Sequence, residues 1–301
     1  GGFTADYGGR LSSVLDVTNL DGNRKEFQGT AEISILAAKA TVQMPIGNIG
    51  AVSGSFRRTY LAETITPFYP EIPYYYFYDG HLKGFFDLNA NNKITLSFYN
   101  GRDKLNFSPN PDDSEAPTFD YYWGNTTGSL RWTHIFNPRF FSNFWVTMSH
   151  FDSEFNIAQV NVHETNDLSD ISFKGQFEYA FSNSLSANFG FEQKSLHTKL
   201  AQDTPGGIVD VERDEQLHTG YASLLWQPTI RWNIEPGVRY NQFNANRTFN
   251  DWAPRFAAKF RLTDTINLKA STGVFYQYLN KIPRLFIADI WMMNSCCDQS
   301  N

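Results

Sequence analysis

Histidine and cysteine ligate metals and act as bases or nucleophiles, so their spacing indicates whether the chain could carry such chemistry. The two cysteines, Cys296 and Cys297, are adjacent, which suits neither a disulfide framework nor a C-x-x-C site. The histidines lie singly along the chain, with no pair at metal-ligand spacing: His81, His134, His150, His163, His197 and His218. G-x-S-x-G, H-E-x-x-H and phosphate-binding glycine motifs are absent from the sequence. We therefore expect no enzymatic activity, no metal site and no cofactor.

Aromatic residues provide the other candidate chemistry, because flat rings stack on ligands or anchor at a membrane surface. They are grouped where long connections rejoin predicted strands. Placement at strand ends favours an outer aromatic belt over a ligand vestibule, and both interpretations stay open. The candidates are Tyr74, Tyr75, Tyr76, Tyr78, Tyr121, Tyr122, Trp123 and Trp252.

The elements that would position these rings are β-strands with an apolar and a polar face. Apolar and polar residues alternate with period 2 from residue 26 onward, as in Ile94 to Tyr99 and Phe256 to Leu262. Alternation of this kind without helical periodicity predicts an all-β protein. No run approaches the roughly 20 apolar residues that a spanning helix needs, so the chain is either a soluble β protein or a membrane barrel.

Turns recur at a regular spacing that favours the barrel. Tight turns are predicted near Gly47, Asn91, Pro138, Asn183, Pro228 and Asp264. Long connections are predicted between them, at residues 62–79, 106–125, 154–170, 201–220 and 244–253. Outer-membrane barrels show this pattern of short periplasmic turns and longer external loops.

Charged residues within the predicted strands would be costly on a lipid face, so we place them on the lumen side. The candidates are Arg57, Arg58, Glu235, Arg239, Lys259 and Arg261. The net charge of -6 disfavours nucleic acid as a partner.

The stretch Tyr7-Gly8-Gly9-Arg10, continuing as a short strand to Val17, has two glycines that permit a tight turn. It resembles the last plug strand of TonB-dependent outer-membrane receptors, especially the Bacteroidota type. Looser similarity continues through residues 27–46, 56–61 and 253–276.

The resemblance implies a partial transmembrane antiparallel β-barrel, with about 13 strands of an expected 22 or so, preceded by the last plug strand. Residues 1–23 would be the end of the plug, 24–291 the first part of the barrel and 292–301 an atypical disordered tail. We expect the chain to be a fragment. Tyr7, Gly8, Gly9 and Arg10 are the candidate plug motif, and the lumen-side charges would either face this polar plug or solvate the lumen.

Such a receptor would lie in the outer membrane of a Gram-negative bacterium and take up a scarce nutrient: a siderophore, cobalamin, an oligosaccharide or a peptide. Its partners would be outer-membrane lipid, the ligand, a surface lipoprotein, and the TonB complex through a segment upstream of Gly1. The alternative is a soluble or surface-exposed all-β binding protein without transport, such as an adhesin or a glycan-binding sandwich, whose apolar faces would pack against each other. A passive porin would need no plug strand.

Overall fold

The computed structural model describes residues 3–11, 13–69, 72–109, 113, 115–282 and 290–293. Within these ranges no helix is both long and apolar enough to cross a membrane. Besides one short helix, α1 (Leu61–Thr64), and a 3-10 turn (Ala158–Val160), the regular elements are strands. The strands are β1 (Gln28–Ile33), β2 (Ala37–Ile46), β3 (Gly50–Thr59), β4 (Tyr74–Asn89), β5 (Asn92–Phe107), β6 (Phe119–Asn137), β7 (Phe140–Ile157), β8 (Val162–Ser182), β9 (Leu185–Thr204), β10 (Gly207–Thr229), β11 (Trp232–Asn244), β12 (Thr248–Arg261), β13 (Asn267–Gly273), β14 (Leu279–Ile282) and β15 (Ile290–Met293).

Strands β1 to β13 form one antiparallel sheet in chain order, in which each strand pairs with the next along the sequence. This confirms the predicted all-β class and the estimate of about thirteen wall strands. The sandwich alternative requires two sheets packed face to face. Among the described residues, the thirteen strands belong to a single sheet.

The two faces of the sheet differ in polarity, as the alternation predicts. Residues 3–11 and 13–25, which we call the N-terminal segment, contact one face of the sheet. We call that face the inner face and its reverse the outer face. Outer-face apolar side chains are open to the surroundings: Leu96 is 46% exposed and Phe189 is 40% exposed. On the inner face Arg239 is only 1% exposed. An apolar outer surface with polar groups enclosed inside is the arrangement of a membrane barrel wall.

Tight turns join the strands at one end of the sheet, close to the predicted positions. Gly47 adopts a φ of +54° between β2 and β3, which glycine reaches without a Cβ clash. The predicted turn at Pro228 is displaced, because β10 continues to Thr229 and pairs there with Trp232.

Three of the predicted long loops at the opposite end are wrong. The chain at residues 154–170, 201–220 and 244–253 forms paired strands that reverse over a few residues, with Ile157 opposite Val162, Thr204 opposite Gly207, and Asn244 opposite Thr248. Beyond the apolar band both faces are polar, so alternation disappears from the sequence while backbone pairing continues. The other two connections are shorter than predicted and cover residues 60–73 and 108–118.

After β13 the chain returns onto the inner face. Tyr278 and Leu279 pack there against Leu196, Leu217 and Phe243. The β14–β15 hairpin follows and includes two residues of the predicted tail, Met292 and Met293. Residues 294–301 of that tail lie outside the described residues.

Candidate functional site

Three cationic side chains on the inner face hold the N-terminal segment through its backbone. Arg255 Nη1 donates to the carbonyl oxygens of Phe3 (3.2 Å), Thr4 and Tyr7 (2.6 Å). Arg239 Nη1 donates to those of Ala5 (3.3 Å) and Asp6 (3.4 Å). Lys174 Nζ also donates to the Asp6 carbonyl, at 3.3 Å. Five consecutive carbonyls, residues 3–7, therefore converge on Lys174, Arg239 and Arg255, which we call the cationic cluster.

Arg239 is the most enclosed member of the cationic cluster. Its Nη2 lies 3.0 Å from Glu192 Oε2 and 3.1 Å from Thr219 Oγ1, and its Nε donates to Asn241 Oδ1 at 2.9 Å. A buried guanidinium needs such partners, because an unpaired charge inside a protein is costly. These contacts from β9, β10 and β11 fix the direction in which the guanidinium presents Nη1 to the segment.

Lys174 sits among three aromatic rings. Its Nζ lies 5.5 Å from the ring centroid of Tyr7, 5.5 Å from Trp145 and 5.6 Å from Tyr221. Distances under about 6 Å allow cation–π attraction, which strengthens when the cation is shielded from water. Because Tyr7 belongs to the segment and the other two rings to the wall, this ammonium links the two parts.

The adjacent glycines have separate structural reasons. A Cβ added to Gly8 would lie 2.3 Å from Arg239 Nε and 2.6 Å from its Cζ. Gly8 is therefore required for the close approach of the guanidinium. Gly9 adopts a φ of +72°, a conformation that side chains with a Cβ resist. Arg10, the last residue of the predicted motif, bonds the Gly9 carbonyl at 2.9 Å and is exposed.

A second anchor holds residues 19–24 on β4. Lys83 Nζ donates to the Asn19 carbonyl and lies 2.6 Å from Asp21 Oδ1. Further along, Arg24 Nη2 lies 2.6 Å from Asp87 Oδ2. The N-terminal segment thus crosses the inner face from β12 to β4 before it enters β1.

The hydroxyl of Tyr7 donates to Asp16 Oδ2 at 2.9 Å, which closes the segment on itself. Burial raises the pKa of Tyr7 to about 12, and the hydrogen bond to Asp16 and the charges of Asp16 and Asp6 add to that shift. The phenol therefore stays protonated, and able to donate, well above the ordinary titration range of tyrosine.

Strand register divides the aromatic candidates between the two faces, because successive residues of a strand point to opposite sides. Tyr75, Tyr121 and Trp123 share the inner face with Arg57, Asp103 and Phe155. The outer face carries Tyr74, Tyr76, Tyr78, Tyr122 and Trp252.

The inner aromatic residues form one continuous surface. The rings of Tyr121 and Trp123 stack with their centroids 4.4 Å apart, and the ring of Tyr75 stacks on Trp123 with the centroids 6.4 Å apart. Phe155 meets Tyr121 edge-on at 6.2 Å. The Tyr75 hydroxyl donates to Asp103 Oδ1 at 2.6 Å. Flat rings beside a carboxylate could stack on a planar ligand and hydrogen-bond its edge.

The charged candidates occupy different places. Arg57 faces inward and pairs with Asp79 at 2.7 Å. Arg58 does not share that face, because it is the next residue of the same strand, and it pairs with Glu63 at 2.8 Å on the outer side.

The candidates on β11 and β12 all face inward but differ in their contacts. Arg239 belongs to the cationic cluster, and Glu235 lines a small cavity beside Phe3 and Ala5. Lys259 and Arg261 lie near the tight-turn end, where Arg261 pairs with Asp264 at 3.2 Å.

Sequence reasoning missed three residues that contact the segment, Lys83, Lys174 and Arg255, and also Glu192, which pairs with Arg239. Arg255 continues the alternating series of Ala257, Lys259 and Arg261, so extending that series by one step would have found it. Lys174 likewise alternates with the outer-face Phe173 and Gly175.

Register also brings together residues that the sequence separates. Ligand atoms of His197, Glu212 and Asp214 lie within 4.8 Å of one another, a group among the described residues that could hold a metal ion. Sequence spacing did not indicate it, because the ligands come from two strands of a hairpin.

A comparison with protein families and a comparison with solved structures both match this chain to the same type of β-barrel. A family model described as TonB dependent receptor-like, beta-barrel, matches residues 55–277. A search of curated proteins finds no match.

Similar solved structures include the alcaligin outer-membrane receptor FauA from Bordetella pertussis (TM-score 0.62, 13% identity, 85% of this chain and 44% of that one). They also include the siderophore receptor PiuA from Acinetobacter baumannii (TM-score 0.62, 12% identity, 87% of this chain and 50% of that one). The copper transporter OprC is similar as well (TM-score 0.58, 10% identity, 82% of this chain and 44% of that one). At sequence identities this low, the similarity shows a shared fold and nothing further. The chain spans about half the length of these proteins or less.

Proposed function

Because the chain belongs to the TonB-dependent receptor β-barrel family, whose members are outer-membrane transporters of Gram-negative bacteria and not enzymes, we propose that it forms part of the wall of a nutrient importer. In this proposal residues 24–291 are barrel and residues 1–23 are the end of the plug. The importer takes up a scarce nutrient, and the TonB complex supplies the energy. The stretch Tyr7 to Val17 is the reason to assign it to the Bacteroidota type.

The observation that carries the proposal is the attachment of the N-terminal segment to the inner face. Barrels of this family are too wide for side chains to fill, so a separate plug must block the lumen. A plug needs a firm connection to the wall. Convergence of five backbone carbonyls on the cationic cluster is such a connection. A passive porin has no need of it.

We assign the aromatic candidates according to face. Tyr75, Tyr121 and Trp123 would form a ligand surface on the inner side. The outer-face residues would form an aromatic belt at headgroup level: Tyr74, Tyr76, Tyr78, Tyr122 and Trp252. The division rests on strand register and on the stacking of the inner rings.

The charged candidates follow the same division. Arg239 would attach the plug directly, with Glu235 beside it. Arg57, Lys259 and Arg261 would solvate the lumen or meet other parts of the plug. Arg58 belongs to the outer surface.

The nutrient is one of four classes: a siderophore, cobalamin, an oligosaccharide or a peptide. One of the similar structures, PiuA, is named as a siderophore receptor, so ferric siderophores are the first class to test. A surface lipoprotein is a further partner in this proposal.

Whole-cell assays test the proposal directly. Cells producing the complete protein, or its Trp123→Ala or Trp252→Ala variant, are given a panel of radioiron-loaded siderophores. We expect binding in the cold, uptake on warming, and loss of uptake but not of binding when a protonophore or deletion of TonB removes the energy supply. Trp123→Ala should weaken binding at least tenfold, and Trp252→Ala should not. Uptake that continues without TonB would indicate a porin, and binding that is not followed by uptake would indicate an adhesin.

A further inference from the structure

A second cluster, made of side chains that can ligate a metal ion, lies on the outer face, away from the N-terminal segment. Strands β9 and β10 pair so that His197 is opposite Asp214 and Lys199 is opposite Glu212. The neighbours Leu196 and Thr198 are buried on the inner face, so His197 and its partners project outward. These residues take no part in the contacts that hold the segment.

The geometry suits a metal ion. His197 Nδ1 lies 2.8 Å from Asp214 Oδ1, and the ligand atoms of His197, Asp214 and Glu212 lie within 4.8 Å of one another. A tetrahedral ion with bonds of about 2.0–2.1 Å holds its ligand atoms about 3.3 Å apart. Small side-chain rotations would bring all three atoms to that separation, because the paired strands already fix their backbones.

The site lies above the apolar band. Leu185, Ala187, Phe189 and Phe191 form the apolar outer row of β9, and His197 follows about 40 Å along the strand from Leu185. At a tilt of about 35–45° this is a height of about 30 Å, beyond a band about 25 Å tall. The Asp214 side chain is 82% exposed and that of Glu212 is 54% exposed, so an ion from solution can reach them.

A neighbouring histidine shows the contrast. His150 Nε2 lies 3.5 Å from Asp152 and 3.4 Å from Asp167. Its Nδ1 already contacts Ser169 Oγ at 2.9 Å, and Asp152 accepts a hydrogen bond from Arg102. In this group the charges and both ring nitrogens have protein partners. At His197 the carboxylates instead face water, with a long contact of 3.7 Å from Lys199 to Glu212.

We propose that His197, Asp214 and Glu212 bind a divalent transition-metal ion of the zinc type on the outer face. One imidazole nitrogen and two carboxylate oxygens suit such an ion, and water fills the remaining position. Lys199 leaves Glu212 when the ion binds. The ion joins β9 to β10 in the part of the hairpin that projects beyond the membrane, and so makes that hairpin rigid. The site does not depend on transport.

Zinc titration of the complete purified protein in detergent, against a chromophoric chelator, tests the site. The variants are His197→Asn and Asp214→Asn, with His150→Asn as the matched control. We expect one zinc equivalent whose affinity falls at least tenfold in both site variants and is unchanged in the control. Zinc should also slow amide hydrogen exchange near residues 197–214 in the wild type and not in His197→Asn.

Two results would overturn the proposal. One is equal zinc affinity in the wild type and in both site variants, and the other is loss of the equivalent in His150→Asn. Circular dichroism of each variant confirms that the strands remain, and using two site variants protects the test against a folding failure in either one.

Discussion

Replacing Gly8 by alanine should loosen the N-terminal segment from the wall. The new Cβ would lie 2.3 Å from Arg239 Nε, far inside van der Waals contact. The guanidinium cannot easily move away, because it is 1% exposed and is held by Glu192, Thr219 and Asn241. The segment must therefore move instead.

The size of the effect follows from the contacts that would be lost. Withdrawal of the segment breaks the two bonds from Arg239 Nη1 to the carbonyls of Ala5 and Asp6. Hydrogen bonds to charged groups contribute about 1.5–3 kcal/mol each, and at 3.3 and 3.4 Å these two belong at or below the lower end. We expect a loss of about 2–3 kcal/mol in local stability, or roughly 30- to 150-fold in the opening equilibrium.

Hydrogen exchange of the amides in residues 4–9 measures that equilibrium. Gly220→Ala is the control, because a Cβ there meets nothing within 4 Å. In an Arg239→Met background the guanidinium is absent, so Gly8→Ala should cost much less. Equal effects of Gly8→Ala in the two backgrounds would refute the steric explanation, since residues in contact should show coupled energies.

Three further predictions concern the ligand surface and the attachment of the segment. Trp123→Ala should weaken ligand binding in the cold at least tenfold, while Trp252→Ala should leave affinity intact and lower the thermal stability of the barrel in lipid. Lys83→Met should speed amide exchange of residues 18–22 about tenfold, because it removes the bonds to Asp21 and the backbone. The folded pKa of Tyr7, about 12, exceeds the ordinary 10.0, so its contribution to segment attachment is complete below pH 10 and is lost as pH rises through 12. An ultraviolet difference titration against Tyr7→Phe should show this proton leaving near pH 12, and release near pH 10 would contradict the hydrogen bond.

The strands and their apolar face could be predicted because burial in lipid on one side forces period-2 alternation. The external ends of the strands could not be predicted. Both of their faces contact water, so polar residues occupy both faces, and backbone pairing alone leaves no pattern of side chains in the sequence. β9 and β10 illustrate this: they remain paired up to Thr204 and Gly207, within a stretch whose composition resembles a loop.

The candidate site could be predicted only in part. Arg239 stands out as a charge in an apolar strand, but its partners on the segment are carbonyl oxygens, which every residue has. The contact of Lys174 with Tyr7 could not be predicted, because only the fold brings together two residues more than 160 positions apart in sequence. The division of Tyr74 and Tyr75 between opposite faces needed the register, because the sequence shows only that they are adjacent.

The central claim is that lipid contacts the outer face of the sheet and that water or the plug contacts its reverse. Spin labels at Phe189→Cys and Phe260→Cys, compared with Asn188→Cys and Lys259→Cys, test it in bilayers through accessibility to oxygen and to a water-soluble nickel complex. We predict high oxygen and low nickel accessibility at positions 189 and 260, and the reverse at 188 and 259. Low accessibility to both reagents at 189 and 260 would mean that these residues lie in a protein core, and would contradict the assignment to a membrane wall.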